Sequence, residues 1–261
     1  MRMMRTSNPA LNAKVFDQAG ISGTGETMTL QGTVNKTFFL LALLVISASW
    51  VWGKVIQPAP IFGGEEGSAQ GIPSMVGTLM VVGGIGGFIT ALITIFNKKI
   101  AGMTAPIYAI LEGLFLGGIS AFFEMQFPGI VIQAVALTFG TLFCLLAAYK
   151  SGLIKATENF KLGVVAATGA ICLIYFINFI MGFFGTSIPM IHSAGPMGIA
   201  FSLFFVTIAA LNLVLDFDFI EQGLAMGVPK YMEWYGAFGL LVTLVWLYME
   251  ILRLLSKLRR R

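Results

Sequence analysis

The stretch Leu211-Asn-Leu-Val-Leu-Asp-Phe-Asp-Phe-Ile220 places two carboxylates at the end of an apolar run, which has no charged residue from Leu162 to Leu215. A second stretch, Leu247-Tyr-Met-Glu-Ile-Leu252, places another carboxylate inside the last apolar segment of the chain. Both runs are apolar enough to lie in lipid. An ionisable side chain at membrane depth is costly and therefore marks a functional site by default. These acids are the first candidates for function.

The composition of the whole chain indicates a membrane protein. Of its 261 residues, 57% are hydrophobic and 11% are charged, and 23 are phenylalanine. Such a chain lacks the polar surface that a soluble globule needs, so lipid must surround most of it. The net charge of +4 comes from basic residues in loops and tails, where they set orientation in the membrane. The predicted partner is therefore the lipid bilayer, and nucleic-acid binding is not expected.

Seven apolar segments predict an all-α, polytopic membrane protein with seven transmembrane helices. Each segment is close to the ~20 residues that cross a bilayer, and the uncharged run from Leu162 accommodates two helices joined by a turn rich in Gly and Pro. Residues 1–35 are predicted to form a polar cytoplasmic tail, and residues 36–258 the helical domain. The predicted helices are 37–53, 72–96, 106–123, 129–149, 162–184, 197–217 and 234–255.

Two glycine pairs predict where helices approach each other closely. Gly83 with Gly87 in the second helix, and Gly113 with Gly117 in the third, have the four-residue spacing of small residues at membrane helix interfaces. We therefore expect the second and third helices to pack against each other.

Basic residues predict the orientation of the bundle. With seven spans, only Lys54 lies in the loops on the side opposite to the N-terminus, so the N-terminus is expected in the cytoplasm. The C-terminal arginines disagree, because they would then lie outside unless the last helix is re-entrant. We favour a last helix that crosses the membrane. The basic residues on the N-terminal side are Arg2, Arg5, Lys14, Lys36, Lys98, Lys99, Lys150, Lys155, Lys161 and Lys230.

Five acids are candidates for an ion pathway or a pH sensor: Asp216, Asp218, Glu233, Glu250 and Glu112. If the connection between the last two helices is centred near residue 225, Asp216 and Asp218 lie level with Glu233. Glu250 then lies ~24 Å further along the last helix, and Glu112 falls in the inner half of the third. Two such acids in close proximity can share a proton, which would make them a pH-dependent gate.

Each acid also has a simpler interpretation. Glu250 can pair with Arg253, which is three residues further along the same helix. Asp218 and Glu233 can be interfacial residues at helix ends, and Glu112 can hydrogen-bond to a neighbouring helix. Asp216 is the hardest to explain in this way, because it adjoins the long uncharged run.

These motifs resemble the bacterial branch of the Bax inhibitor-1 (transmembrane Bax inhibitor motif) family. The resemblance rests on the seven spans, on Asp216 followed by Ile220, and on Leu247-Tyr-Met-Glu-Ile251. It covers about residues 30 to 258, including Pro106-Ile-Tyr-Ala-Ile-Leu-Glu-Gly-Leu-Phe-Leu-Gly-Gly-Ile-Ser120 and Glu233-Trp-Tyr235. It implies a seven-helix bundle with the last helix at its centre, in the bacterial inner (plasma) membrane.

The resemblance also implies a function, namely a pH-sensitive calcium leak gated by an acidic pair on helices six and seven. Asp216 would be the first member of the pair and either Glu233 or Glu250 the second, with Asp216 and Glu250 as the calcium ligands. Calcium would be the permeant ion, and no bound cofactor is expected. The family motif Asp-Thr-Gln-x-x-Ile is altered here, because Phe217 and Asp218 replace its polar pair.

The main alternative is a non-conducting regulator of a membrane-bound protease or of membrane protein quality control, as the resemblance also implies. The protease would then be its partner. Enzymatic chemistry is not expected, because the Gly-x-Gly-Asp motif of intramembrane aspartyl proteases is absent from the sequence. The single His192 lies in a predicted external turn without an evident nucleophile.

Overall fold

The computed structural model describes residues 26–55, 74–186, 188 and 193–260, and within these ranges the chain forms seven long helices. All seven are long and apolar enough to cross a membrane, so the predicted all-α transmembrane bundle is confirmed. A short 3₁₀ turn, Lys98–Ile100, precedes the third helix. The helices are α1 (Leu30–Val55), α2 (Ser74–Phe96), α3 (Ala101–Gln126), α4 (Ile130–Lys150), α5 (Glu158–Phe183), α6 (Pro196–Ala225) and α7 (Met232–Arg259).

Two predicted boundaries are wrong. Helix α1 begins at Leu30, inside the predicted polar tail, and α6 continues to Ala225 instead of ending near residue 217. The charged residues that suggested a loop after residue 217 have partners on other helices. Lys161 of α5 pairs with Asp218, and the Tyr149 hydroxyl of α4 donates to Glu221. Because these contacts stabilise the polar side chains, the helix extends by two turns. His192 lies outside the described residues, as does most of the predicted tail.

Helix α7 lies at the centre of the bundle, as the resemblance implied. In its apolar 18-residue segment, 61% of the residues are buried inside the bundle, whereas the corresponding share is 17% for α4 and for α5. Its neighbours are α1, α3, α4 and α6. The largest side chains at this centre include Tyr235, Phe238 and Leu241, which are almost completely buried. These four helices therefore surround α7, whereas α2 packs on α3 and α5 packs on α6.

The two glycine pairs pack against different helices. A methyl group at Gly83 of α2 would lie 2.5 Å from the Leu111 carbonyl oxygen of α3, so the expected close packing of α2 and α3 is confirmed. A methyl group at Gly117 of α3 would instead lie 2.5 Å from the Ala48 carbonyl oxygen of α1. The second pair thus serves the interface between α1 and α3, because one helix cannot direct both of its faces at the same neighbour.

The ends of α7 lie at opposite ends of the bundle. In the segment before α1, the Met28 amide donates a hydrogen bond to the Val228 carbonyl oxygen at 2.8 Å. The Lys230 amide donates in return to the Glu26 carbonyl oxygen at 3.0 Å. The Glu26 carboxylate also pairs with the Lys230 amine and raises its pKa, so the amine stays protonated at neutral pH. These contacts fasten the start of α1 to the connection between α6 and α7.

At the other end of α7, the Lys257 amine donates to the Gly198 carbonyl oxygen in the first turn of α6, at 3.0 Å. The guanidinium of Arg259 donates to the Pro128 carbonyl oxygen at 2.7 Å, in the turn between α3 and α4. With 28 residues, α7 is ~42 Å long and passes through the whole bundle. A continuous helix of this length agrees with the predicted last helix that crosses the membrane.

Gly117→Ala should destabilise the protein, because its methyl group would meet the Ala48 backbone, which cannot move aside as a flexible side chain can. We expect a loss of about 1–3 kcal/mol, as for other overpacked interfaces. Gly140→Ala in α4 is the matched control, since no atom lies within 4 Å of the added methyl group. Thermal unfolding of both purified variants in detergent tests this. Equal midpoints for the two variants would contradict the assigned α1–α3 contact.

Candidate functional site

The register between α6 and α7 fixes the depth of the acids on these helices. A methyl group at Gly236 of α7 would lie 3.4 Å from Ile220 Cγ1 of α6, and Lys257 contacts Gly198 near the other end of the pair. Both contacts give the same antiparallel register to within one residue. In this register Asp216 lies level with Leu240, the ninth of the 28 residues of α7.

Neither acid of α7 lies at the level of Asp216. At 1.5 Å per residue, Glu233 is ~10 Å away along the axis and Glu250 ~15 Å away in the opposite direction. Calcium binds oxygens at about 2.3–2.6 Å, so Asp216 and Glu250 cannot share one ion in this conformation. The expected alignment with Glu233 fails because α6 continues to Ala225, which moves the centre of the connection to about residue 228. Within the described part of the chain, no three His, Cys, Asp or Glu residues cluster in a way that could hold a metal ion.

Asp216 is nevertheless the most deeply placed acid of α6. Its side chain is completely buried, at 0% exposure. It lies five full turns after Gly198 and about one turn before Ile220, and both of these residues contact α7. Asp216 therefore lies on the face of α6 that is directed at α7, completely buried inside the bundle and nine residues before the end of α6.

A line of polar contacts, which we call the polar seam, joins α5 to α6 and α7 in three tiers. In the first tier, the buried Lys161 amine lies 2.6 Å from Asp218 Oδ2. In the second, the Asn212 side-chain amide donates to Thr168 Oγ1 at 2.9 Å. In the third, the Tyr175 hydroxyl donates to Glu250 Oε1 at 2.8 Å.

The polar seam crosses most of the bilayer. Its three members on α5, Lys161, Thr168 and Tyr175, are seven residues apart, so they lie along one side of the helix. Each step is ~10 Å, and the tiers therefore span ~20 Å of a hydrocarbon core of about 30 Å. Asp216 lies on α6 between the levels of the first two tiers. The seam thus places polar groups above and below the central acid.

The third tier holds Glu250 in a neutral cluster. Its carboxylate is 1% exposed and lies 3.0 Å from the Arg253 guanidinium, while the Trp246 indole donates to it at 3.2 Å. The Tyr175 hydroxyl also contacts Arg253. The simpler interpretation, in which Glu250 pairs with Arg253, is confirmed. This cluster connects α5 to α7 at the end of the bundle opposite to the N-terminus.

Glu233 caps the start of α1. Its Oε1 accepts hydrogen bonds from the Thr29 amide at 2.9 Å and the Thr29 hydroxyl at 2.8 Å, and its Oε2 pairs with Lys36. A carboxylate at a helix N-terminus satisfies free amides and favours the helix dipole. Glu233 therefore lies at a helix end, as its simpler interpretation stated, and fastens α1 to α7.

Glu112 is separated from the other acids by α7. The Tyr108–Phe238 ring contact and the 2.6 Å bond between Ser120 and Tyr248 place Glu112 close to the level of Asp216. Its carboxylate is directed at α2, since its Oε2 would lie 3.0 Å from a methyl group at Gly87. Glu112 and the acids of α6 and α7 therefore do not form one continuous ion pathway in this conformation.

Several residues of the polar seam did not emerge from the sequence as candidates, namely Lys161, Thr168, Tyr175 and Asn212. The seven-residue spacing on α5 was the available signal, because polar residues repeating at that spacing mark one buried helix face.

Comparison with known families agrees with this architecture. A family model described as Bax inhibitor 1 like matches residues 8–260, nearly the whole chain. No curated protein and no solved structure matches it. The match includes all seven helices, Asp216 and the three tiers of the polar seam. The chain therefore belongs to the Bax inhibitor 1 like family of membrane proteins.

Proposed function

We propose that this protein is a pH-sensitive cation leak in which the polar seam is the ion path and Asp216 is the group that senses pH. The observation that carries the proposal is the complete burial of Asp216 inside the bundle, between the levels of two tiers of polar contacts. Ionising a carboxylic acid where water is scarce is costly, so protonation and hydration of the site are coupled. Calcium is the permeant ion that the family resemblance implies.

The conformation described here corresponds to a closed path. Between the second and third tiers, the side chains of Ile171, Phe205 and Ile208 form a small apolar cluster that leaves no continuous polar route. An ion can pass only if α5 moves away from α6 and α7. Helix α5 is suited to this movement, because few of its residues are buried and the three tiers supply its polar attachments.

The direction of the pH response follows from charge. A protonated Asp216 is neutral and compatible with the dry, closed packing. An ionised Asp216 favours water and a cation beside it. Hydration at this level loosens the two tiers above and below it, through which α5 is attached to α6. The leak is therefore larger at higher pH and smaller at lower pH.

The orientation is part of the same proposal. The end of the bundle that holds Lys36, Lys150 and Lys161 faces the cytoplasm of a bacterial cell, because basic residues favour that side. The third tier, with Glu250 and Arg253, then lies near the outer face. A non-conducting regulator of a membrane-bound protease is the competing function, and the flux measurements below separate the two.

Calcium flux into liposomes containing the purified protein should rise between about pH 5 and pH 8, and Asp216→Asn should remove this pH dependence. The amide keeps the size of the side chain but cannot ionise. Glu221→Gln is the matched control, because Glu221 lies on the same helix at its exposed end and should leave the response intact. An unchanged flux-versus-pH curve in Asp216→Asn would exclude Asp216 as the sensor. Absence of flux in the wild type at every pH would favour the regulator.

Removal of one attachment of α5 should raise the leak at every pH. Tyr175→Phe deletes the hydroxyl that contacts Glu250 and Arg253. A hydrogen bond of about 1 kcal/mol corresponds to about a fivefold shift toward the open state, and flux should rise by that factor. Tyr149→Phe is the matched control, because its hydroxyl contacts Glu221 outside the seam. Equal flux in both variants would show that the third tier does not hold the path closed.

A further inference from the structure

A cavity of about 320 Å³ lies on the side of α7 away from the polar seam. Helices α1 and α4 flank it, and α3 and α7 form its floor. Its volume is at the lower end of the roughly 300–1,000 Å³ that ligand sites enclose. The lining is mainly apolar and includes Leu44, Trp52, Leu116, Val135, Phe139 and Leu244.

The cavity occupies one half of the bilayer. Its lining on α4 begins at Val131, next to the turn between α3 and α4, and on α7 it runs from Leu241 to Tyr248. This is the half opposite to the start of α1. Val45 and Val135, which line the cavity, are exposed on the helix surfaces, so the cavity opens toward the surrounding hydrocarbon. An apolar space that opens inside one leaflet fits a lipid acyl chain.

Cations lie at the end of the cavity where lipid headgroups begin. Arg259 contacts the Pro128 carbonyl oxygen and Gln133, three residues before and two residues after Val131. The Arg260 guanidinium lies 5.9 Å from the centre of the Phe127 ring. In the described part of the chain, Glu124 is the acid nearby, and its carboxylate accepts hydrogen bonds from the Gly129 and Val131 amides at 2.5 and 3.1 Å.

Among the described residues at this rim, the balance of charge is positive. Glu124 directs its carboxylate at the backbone amides that begin α4, whereas Arg259 and Arg260 are exposed. Lys54, at the end of α1, adds a further exposed cation close to Trp50. Guanidinium groups bind phosphate through paired, charge-assisted hydrogen bonds. The rim therefore favours an anionic headgroup.

We infer that the cavity binds one anionic phospholipid of this leaflet, with an acyl chain between α1 and α4 and its phosphate at Arg259 and Arg260. The apolar cavity suits the acyl chain, and the basic rim suits the phosphate. The inference does not rest on the proposed function, because the polar seam lies on the opposite side of α7. A bound lipid would contact α7 between Leu241 and Tyr248, on the side away from α5 and α6.

Native mass spectrometry of the full chain, with phosphatidylglycerol or phosphatidylcholine as the probe, tests the inference. We expect the fraction of wild-type protein that retains one lipid to be about fivefold larger with phosphatidylglycerol than with phosphatidylcholine, because only the former carries a net negative charge. Val135→Trp fills the cavity and should lose this lipid. Ile132→Trp is the matched control on the same helix, because Ile132 is 74% exposed and lies outside the cavity lining. Equal lipid retention by the two tryptophan variants would overturn the acyl-chain site.

The headgroup is tested separately by Arg259→Gln combined with Arg260→Gln. The double variant should retain both lipids equally, and an undiminished preference for phosphatidylglycerol would overturn the headgroup assignment.

A fluorescence measurement keeps the inference testable if Val135→Trp does not fold. Trp52 lines the cavity, so phosphatidylglycerol with brominated chains should quench its emission, taken as the difference between wild type and Trp52→Phe. Brominated phosphatidylcholine should quench that emission less. Equal quenching by the two lipids would also overturn the inference.

Discussion

Water is nearly absent from the core of a bilayer, so the charged side chains of this bundle must be compensated by the protein itself. Three ion pairs meet this requirement: Lys36 with Glu233, Lys161 with Asp218, and Arg253 with Glu250. Two of them connect helices that are distant in the sequence. The third lies within α7 and reaches α5 through Tyr175. The same contacts that neutralise charge thus also attach α1 and α5 to the two central helices.

Helix α7 carries the acid of two of these three ion pairs, Glu233 and Glu250. Its first turn is held to α1 by Glu233, and its last turns are held to α6 and to the α3–α4 turn by Lys257 and Arg259. Between these ends, most of its buried side chains are apolar, and Gly236 packs against Ile220 of α6. The polar contacts in this part are those of Tyr248 with Ser120 and of Glu250 with Tyr175. The polar contacts at its two ends fix the position of α7 along the bundle axis. The side chains that pack between those ends determine which residues of α6 and α7 face each other. The level of Asp216 is a consequence of both.

The sequence was sufficient for the fold class. Each of the seven apolar segments is long enough to cross a bilayer as a helix, and a helix forms all its backbone hydrogen bonds within the segment. It was not sufficient for the end of α6, since Asp218 and Glu221 look like loop residues until their partners on α5 and α4 are known. That error of two turns moved the expected level of Asp216 to Glu233. The depth of an acid on one helix relative to another depends on contacts such as Ile220 with Gly236, which no local pattern specifies.

The polar seam and the lipid-facing cavity lie on opposite sides of α7, and this asymmetry bears on how the bundle can move. On the seam side, α5 is joined to α6 and α7 by separate polar contacts about two turns apart, with only a small apolar cluster between them. On the cavity side, α1 is packed closely onto α3 through Gly113 and Gly117 and is fastened to α7 by Glu233. Overlapping close packing resists displacement, whereas isolated hydrogen bonds can exchange with water one at a time. Movement of α5 away from a fixed core of α1, α3 and α7 is therefore the rearrangement that this architecture favours.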